Sequence, residues 1–195
     1  MTNLITLPNI LTGYRFAAVP VLFFIFLFQH HYADVDQWTD LLAFCLFLSA
    51  ALTDLADGYY ARKYKSESVL GKLMDPLADK VLITVALIML IPMGKVPAWI
   101  SFIILARELM VTGLRGVAAS SGIVVSASGL GKIKSVMQYT ALCILIFPTG
   151  LLPLPYLHEL GLIILIVSMI LTIWSGFDYF YRFQKVFLAP PGSTE

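Results

Sequence analysis

Four aspartates in two neighbouring apolar segments are the residues whose type and spacing most directly indicate chemistry. Asp54 and Asp57 lie near the end of one segment, and Asp75 and Asp79 lie near the start of the next. On a helix, side chains three or four positions apart share a face, so each pair projects in one direction. The connection between the segments is short, which favours antiparallel neighbouring helices and can bring all four carboxylates together.

Such a carboxylate cluster requires compensating positive charge. An ionised carboxylate at the centre of a membrane helix costs about 2.5–3.5 kcal/mol on insertion scales, and like charges that share a site push one another toward protonation. One or two divalent cations relieve both penalties, and oxygen ligands alone suit Mg²⁺, Mn²⁺ or Ca²⁺ rather than zinc or copper. Gly58, Ala61 and Gly71 leave room for a ligand beside the acids, although small residues also allow close packing of membrane helices. Arg62 is placed either to contact a diphosphate or only to anchor the helix end.

The segments that carry these residues are those of a membrane protein. Of the 195 residues, 59% are hydrophobic and only 13% are charged, against about 25% in an average soluble domain. A spanning helix needs about 20 mostly apolar residues, and six candidates run over residues 13–29, 39–62, 72–91, 96–118, 133–150 and 155–182. We therefore predict an all-α integral membrane protein with six transmembrane helices, preceded by a short interfacial helix over residues 1–12.

The distribution of Lys and Arg sets the predicted orientation. Twelve of the thirteen fall on one side of the membrane, and Lys95 alone falls on the other. Because such residues are retained in the cytoplasm, both termini and the aspartates are predicted on the cytoplasmic side of the inner membrane. We expect residues 1–195 to form one membrane domain, with 186–195 as a disordered tail. The net charge of +1 gives no reason to expect a nucleic-acid partner.

A second polar group lies on the same predicted side as the aspartates. Arg107 and Arg115 belong to the fourth span, and Lys132 and Lys134 open the fifth. Arg can hold a phosphate with a bidentate fork, so this group favours a phosphorylated ligand. A belt of cytoplasmic cations is the alternative interpretation. The two lysines are two positions apart and cannot share one helical face, and we favour Lys132.

The aspartate spacing resembles the signature of the CDP-alcohol phosphotransferase family. Every fixed position of that signature is filled: Asp54-x2-Asp57-Gly58-x2-Ala61-Arg62-x8-Gly71-x3-Asp75-x3-Asp79. The resemblance implies that an alcohol displaces CMP from a CDP-linked donor, with two divalent cations, Mg²⁺ or Mn²⁺, held by the four aspartates. It further implies that Asp79 is the general base. The residues implied to line the CDP pocket are Gly58, Ala61, Arg62 and Gly71.

Residues 7–15, 106–115 and 131–134 resemble the bacterial phosphatidylglycerophosphate synthase branch of this family. That resemblance implies CDP-diacylglycerol as donor, sn-glycerol 3-phosphate as acceptor, and a homodimer among membrane lipids. The residues implied to contact the acceptor are Thr12, Arg107, Arg115 and Lys132 or its neighbour Lys134. Asn9 shares a helical face with Thr12 and can reach the nucleotide. The alternatives are another acceptor, inositol phosphate or phosphatidylglycerol, and, in a different class, a cation transporter that uses intramembrane carboxylates.

Overall fold

The part of the chain that the structure describes forms six α-helices. The structure, a computed structural model, describes residues 7–32, 37–64, 69–120, 129–148, 150–151 and 154–187; residues 7–10, 54–64, 69–76, 120, 129–130, 132, 182 and 185–187 are described by their helical backbone alone. The helices are α1 (Leu7–His31), α2 (Gln37–Tyr64), α3 (Val69–Leu90), α4 (Ala98–Ser120), α5 (Gly129–Ile146) and α6 (Leu157–Phe187). No strand occurs in these ranges.

Each of the six predicted apolar segments coincides with one helix, and the helix ends follow local backbone chemistry. Gly94, with a positive φ of 70°, lies in the turn after α3, a conformation that glycine adopts at little cost. Pro148 follows the end of α5 by two residues, and the residue before a proline disfavours helical geometry. The all-α fold class predicted from the sequence is therefore confirmed.

The N-terminal end differs from the sequence-based expectation. Helix α1 begins at Leu7 and continues without a break to His31, so no separate interfacial helix is present within the described part of residues 1–12. Pro8 lies in the first turn, where a missing N–H breaks no helical hydrogen bond, and nothing between it and the apolar run stops the helix. At the other end, α6 extends to Phe187, and residues 188–195 of the predicted tail lie outside the described residues.

The helices pack as a bundle around one buried cluster. Helix α1 packs against α2 and α3, α5 packs against α6, and α4 packs against α6. The largest fully buried apolar side chains come from five helices and are Leu22, Phe26, Phe47, Leu82, Leu87, Leu90, Ile100, Ile104, Leu142, Leu145 and Ile146. Helices α3 and α5 supply three each, and α3 contacts α1, α2, α4 and α5.

Within the described residues, two helices have the length and composition needed to cross a membrane. They are Leu11–His31, with a mean hydropathy of 1.9, and Leu157–Tyr181, with a mean hydropathy of 2.4. Large apolar side chains also face outward from the bundle, among them Phe102 at 71% and Phe177 at 72% exposure. An outer surface of this kind is suited to lipid rather than water. Six membrane crossings remain a prediction.

Polar residues that are predicted to lie on the non-cytoplasmic side of the membrane are found together at one end of the bundle. Gln29 near the end of α1 donates a hydrogen bond to Asp40 at the start of α2, with 2.8 Å between Nε2 and Oδ1. Burial lowers the pKa of Lys95, in the turn between α3 and α4, and the nearby charge of Asp40 opposes that shift. The lone cation of this side therefore lies close to an acid of the same side.

Candidate active site

Asp79, the predicted general base, lies on α3 and is partly buried. Its Oδ1 accepts a hydrogen bond from the hydroxyl of Tyr139 on α5. The Tyr139 ring lies beside Phe47 of α2, with 6.1 Å between ring centroids. Asp79 is therefore held at a point where side chains of α2, α3 and α5 meet.

The other predicted metal ligands occupy the expected helices. Asp54 and Asp57 lie in the last three turns of α2, and Asp75 lies one turn before Asp79 on α3. These two helices contact each other. Side chains 54, 57 and 75 lie outside the described residues, so the four-carboxylate cluster stays a prediction.

The predicted nucleotide-binding residues are found on the same helices. Gly58, Ala61 and Arg62 belong to α2, Gly71 belongs to α3 and Asn9 belongs to α1; each is described by its backbone alone. Thr12, one turn after Asn9 in sequence, is 3% exposed. Helix α1 packs against both α2 and α3, so it is the element that can bring residues near Asn9 and Thr12 to the aspartate-bearing helices.

A cluster of cations surrounds Glu108, a residue of α4. Arg107 Nη1 lies 2.9 Å from Glu108 Oε1, Lys134 of α5 donates a hydrogen bond to the same oxygen, and Lys80 Nζ of α3 lies 3.6 Å from Oε2. Lys80 also donates to the hydroxyl of Thr112, which in turn donates to the Glu108 carbonyl oxygen at 2.6 Å. We call Glu108 with its three cations the Glu108 cluster.

The Glu108 cluster carries a net charge of two positive units, since three cations share one carboxylate. Lys134 is only 6% exposed, and a buried ammonium requires a partner to offset its desolvation. Glu108 supplies that partner while leaving positive charge in excess. A phosphate monoester carries nearly two negative charges at neutral pH, so the cluster is electrostatically matched to such a group.

Arg107 is fixed from a second side by α6. Its Nη2 donates a hydrogen bond to Ser175 Oγ at 2.6 Å, and that hydroxyl donates to the Thr172 carbonyl oxygen at 3.1 Å. A Cβ added at Gly176 would lie 3.2 Å from Arg107 Cγ and 3.3 Å from Nε. The absence of a side chain at position 176 therefore allows Arg107 to lie across α6.

The predicted acceptor-binding residues are only partly brought together. Arg107 and Lys134 meet at Glu108, whereas Arg115 is exposed and its Cζ lies 5.4 Å from the centre of the Tyr179 ring. Lys132 has no described side chain. Of the two lysines that open α5, Lys134 is the one seen to enter the cluster, so the preference for Lys132 gains no support.

A small cavity connects Asp79 to the Glu108 cluster. Its volume is about 30 Å³, which is enough for at least one water-sized group. Its lining residues come from α3, α4 and α5 and are Asp79, Lys80, Ile83, Thr84, Leu105, Glu108, Ser135 and Gln138. The candidate base and the excess positive charge thus face one space.

Sequence reasoning did not assign functional roles to Glu108, Lys80 or Tyr139. A signal for Glu108 was available, since an acid within an apolar span is costly unless a cation pairs with it. Lys80 follows Asp79 directly, and in the sequence it counts only among the twelve cations that set the predicted orientation. Tyr139 had no sequence signal, because its bond to Asp79 joins residues 60 positions apart.

A match to a known protein family covers most of the chain. Residues 5–174 match the family model described as CDP-alcohol phosphatidyltransferase. The chain belongs to this family. The CDP-alcohol phosphatidyltransferase membership predicted from the aspartate spacing is therefore confirmed, and the matched residues include all four aspartates and the Glu108 cluster.

Individual members of the CDP-alcohol phosphatidyltransferase family are similar over nearly the whole chain. A CDP-diacylglycerol–glycerol-3-phosphate 3-phosphatidyltransferase of Bacillus subtilis is 38% identical, with 90% of this chain and 94% of that protein covered. One of the same name from Rickettsia bellii is 39% identical, with coverage of 93% and 97%. A probable phosphatidylglycerophosphate synthase of Mycobacterium tuberculosis is 37% identical, with coverage of 90% and 80%.

Proposed function

We propose that the protein transfers the phosphatidyl group of CDP-diacylglycerol to sn-glycerol 3-phosphate, giving phosphatidylglycerophosphate and CMP. The observation that carries the proposal is the cavity shared by Asp79 and the Glu108 cluster. Asp79 can then meet the reacting hydroxyl of an acceptor, while the two excess positive charges of the Glu108 cluster bind the phosphate of the same acceptor. The names of the relatives from Bacillus subtilis and Rickettsia bellii support the same reaction.

The reaction forms one P–O bond, breaks another and transfers one proton. An acceptor hydroxyl oxygen attacks the phosphorus that carries the diacylglycerol, its proton passes to the Asp79 carboxylate, and the diphosphate P–O bond breaks to release CMP. A carboxylate within hydrogen-bonding reach of the hydroxyl is suited to this role. The bond from Tyr139 to Oδ1 fixes the orientation of the Asp79 carboxylate toward the cavity.

The donor atoms on α2 and α3 fit hard divalent cations. Residues 54–80 include four aspartates and no His or Cys, and carboxylate oxygens are the ligands that Mg²⁺ and Mn²⁺ prefer. We propose that Asp54, Asp57, Asp75 and Asp79 hold two such ions. When bound, the ions would neutralise charge on the diphosphate and on the departing CMP.

The acceptor is held through its phosphate. Arg107 and Lys134 provide donors from two helices, and their shared partner Glu108 keeps them adjacent. Arg115, two turns further along α4 than Arg107, lies on the path toward the predicted cytoplasmic side and suits the entry of an anionic acceptor. The apolar outer surface accommodates the diacylglycerol half of the donor in the membrane.

We also propose the location and assembly of the protein. The bias of twelve cations to one side supports a multi-pass protein of the cytoplasmic membrane with both termini and the site facing the cytoplasm. The family resemblance supports a homodimer. Cross-linking in native membranes would give a band at twice the monomer mass, and only monomer across a range of cross-linker lengths would contradict a dimer.

The proposed reaction is tested by CMP release from the purified full-length protein in detergent with CDP-diacylglycerol and Mg²⁺ or Mn²⁺. Acceptors run in parallel are sn-glycerol 3-phosphate, inositol 1-phosphate, serine and phosphatidylglycerol. We expect release that requires glycerol 3-phosphate and is abolished by EDTA. Release with a different acceptor only would overturn the role given to the Glu108 cluster, and ion flux without CMP release would favour a transporter.

A further inference from the structure

Gln138 of α5 is a deeply buried polar residue that the reaction described above does not use. It is 2% exposed, and its Nε2 has no hydrogen-bond partner within the part of the chain that the structure describes. An unmade hydrogen bond at a buried amide is costly. Gln138 lines the cavity that also contains Asp79 and Glu108.

The other uncharged polar residues of this cavity are already satisfied by their own helices. Thr84 donates its hydroxyl hydrogen to the Lys80 carbonyl oxygen at 2.7 Å, and Ser135 donates to the Gly131 carbonyl oxygen at 3.2 Å. Ile83 and Leu105 complete the wall with apolar groups. Among the uncharged lining residues that the structure describes, Gln138 is therefore the one with a buried donor group left to offer a ligand.

Helix α5 places Gln138 in the cavity that two groups assigned to the reaction also line, Asp79 and the Glu108 cluster. Lys134 of the Glu108 cluster precedes it by one helical turn, which puts both side chains on one face. Tyr139, the next residue, contacts Asp79. An acceptor that extends from the cluster to the base therefore occupies a cavity that Gln138 lines.

The acceptor has a group that needs such a partner. Glycerol 3-phosphate carries two hydroxyls, and the terminal one, as a primary alcohol, is the less hindered nucleophile. The central hydroxyl then enters a cavity that Ile83 and Leu105 close in part, where it loses water and requires a hydrogen bond. A carboxamide can donate to a hydroxyl or accept from it, so either orientation of the amide satisfies it.

We propose that Gln138 recognises the central hydroxyl of the acceptor and thereby sets specificity for glycerol 3-phosphate. This inference rests on the proposed function. It assigns to the cavity a third contact, in addition to the phosphate at the Glu108 cluster and the reacting hydroxyl at Asp79.

The test compares two acceptors, glycerol 3-phosphate and propane-1,3-diol monophosphate, which lacks only the central hydroxyl. Purified full-length wild type, Gln138→Met and the control Ser135→Ala are assayed for CMP release, and kcat/KM is obtained for each acceptor. Met preserves the length of the Gln side chain and removes its hydrogen bonds. Ser135→Ala alters the same cavity at a hydroxyl that its own helix already satisfies.

We expect wild type and Ser135→Ala to prefer glycerol 3-phosphate by about tenfold to hundredfold, the range for a lost hydrogen bond at a buried polar group. In Gln138→Met the preference should fall to about threefold or less, with kcat/KM for the analogue unchanged. A preference that survives in Gln138→Met would overturn the inference. Equal kcat/KM for both acceptors in wild type would overturn it without any variant, whereas no CMP release from either acceptor would overturn the proposed function itself.

Discussion

The two halves of the bundle differ in what they bury. The half next to the turn between α3 and α4 buries apolar side chains such as Phe26, Leu90 and Leu145. Its buried hydroxyl, at Ser101, donates to the Leu87 carbonyl oxygen at 3.3 Å. We call this the apolar half. Because lipid is as apolar as these side chains, its cohesion depends on close packing more than on exclusion of water.

The other half, which we call the site half, buries charge. Arg107 and Lys134 meet Glu108 there, and Asp79 lies across a small cavity from them. Buried ion pairs contribute little net stability compared with apolar packing, so their presence is explained by ligand binding. Changes in the site half should therefore alter catalysis, whereas changes in the apolar half should alter stability.

The largest expected effect is that of Asp79→Asn in the site half. The amide cannot accept the proton of the acceptor hydroxyl, so kcat should fall by about 10²- to 10⁴-fold, with little change in thermal stability. Asp40→Asn is the matched control, since Asp40 is hydrogen-bonded to Gln29 at the opposite end. Steady-state CMP release measures both. A wild-type kcat in Asp79→Asn would show that another group takes the proton.

Glu108→Gln should have the next largest effect. Although Glu108 lies in the site half, this change should alter both stability and acceptor binding. It leaves Arg107, Lys134 and Lys80 without their shared counterion, which we expect to lower the free energy of unfolding by about 3 kcal/mol. The cations should also separate, raising KM for glycerol 3-phosphate about tenfold. Thermal unfolding in detergent and acceptor titrations test this, with exposed Glu159→Gln as control. Unchanged stability and KM would contradict the bridging role of Glu108.

The fold was largely predictable because each helix is encoded locally. Apolar runs of adequate length, interrupted by prolines, glycines and polar residues, place all six helices with ends at most six residues from the observed ones. The identity of the family followed from spacing within and between adjacent helices. Both kinds of information are carried by residues close together in the sequence.

The Glu108 cluster was not predictable in the same way because its contacts are long-range. Lys80 and Lys134 lie 28 positions before and 26 positions after Glu108, and no periodicity relates residues on three helices. Which lysine of α5 faces inward depends on how that helix is rotated against α6, where Ser168 donates to the Lys134 carbonyl oxygen at 3.3 Å. That rotation is set by packing, so spacing alone does not decide between Lys132 and Lys134, and the preference for Lys132 stays a prediction.

Gly161→Ala tests the apolar half. A Cβ at this position would lie 2.9 Å from Leu145 Cγ and 3.0 Å from Ile144 Cγ2, so α5 and α6 must separate slightly. We expect a loss of about 1–3 kcal/mol in the free energy of unfolding, with kcat/KM unchanged in the folded protein. Gly116→Ala, where a Cβ meets nothing within 4 Å, is the control. A fall in kcat/KM at full stability would contradict the division between the halves.

The smallest expected effect is that of Tyr139→Phe, which removes the hydroxyl that donates to Asp79 while preserving the ring beside Phe47. The carboxylate should lose its fixed orientation, and kcat should fall about tenfold, the equivalent of one hydrogen bond to a charged group. KM for glycerol 3-phosphate should stay close to the wild-type value, since the Glu108 cluster is intact. Tyr14→Phe, which loses a 2.6 Å bond to Ser49 between α1 and α2, should leave kcat unchanged. If Tyr139→Phe instead raises KM with kcat preserved, Tyr139 contributes to acceptor binding, and the base and the acceptor site are less separate than the structure indicates.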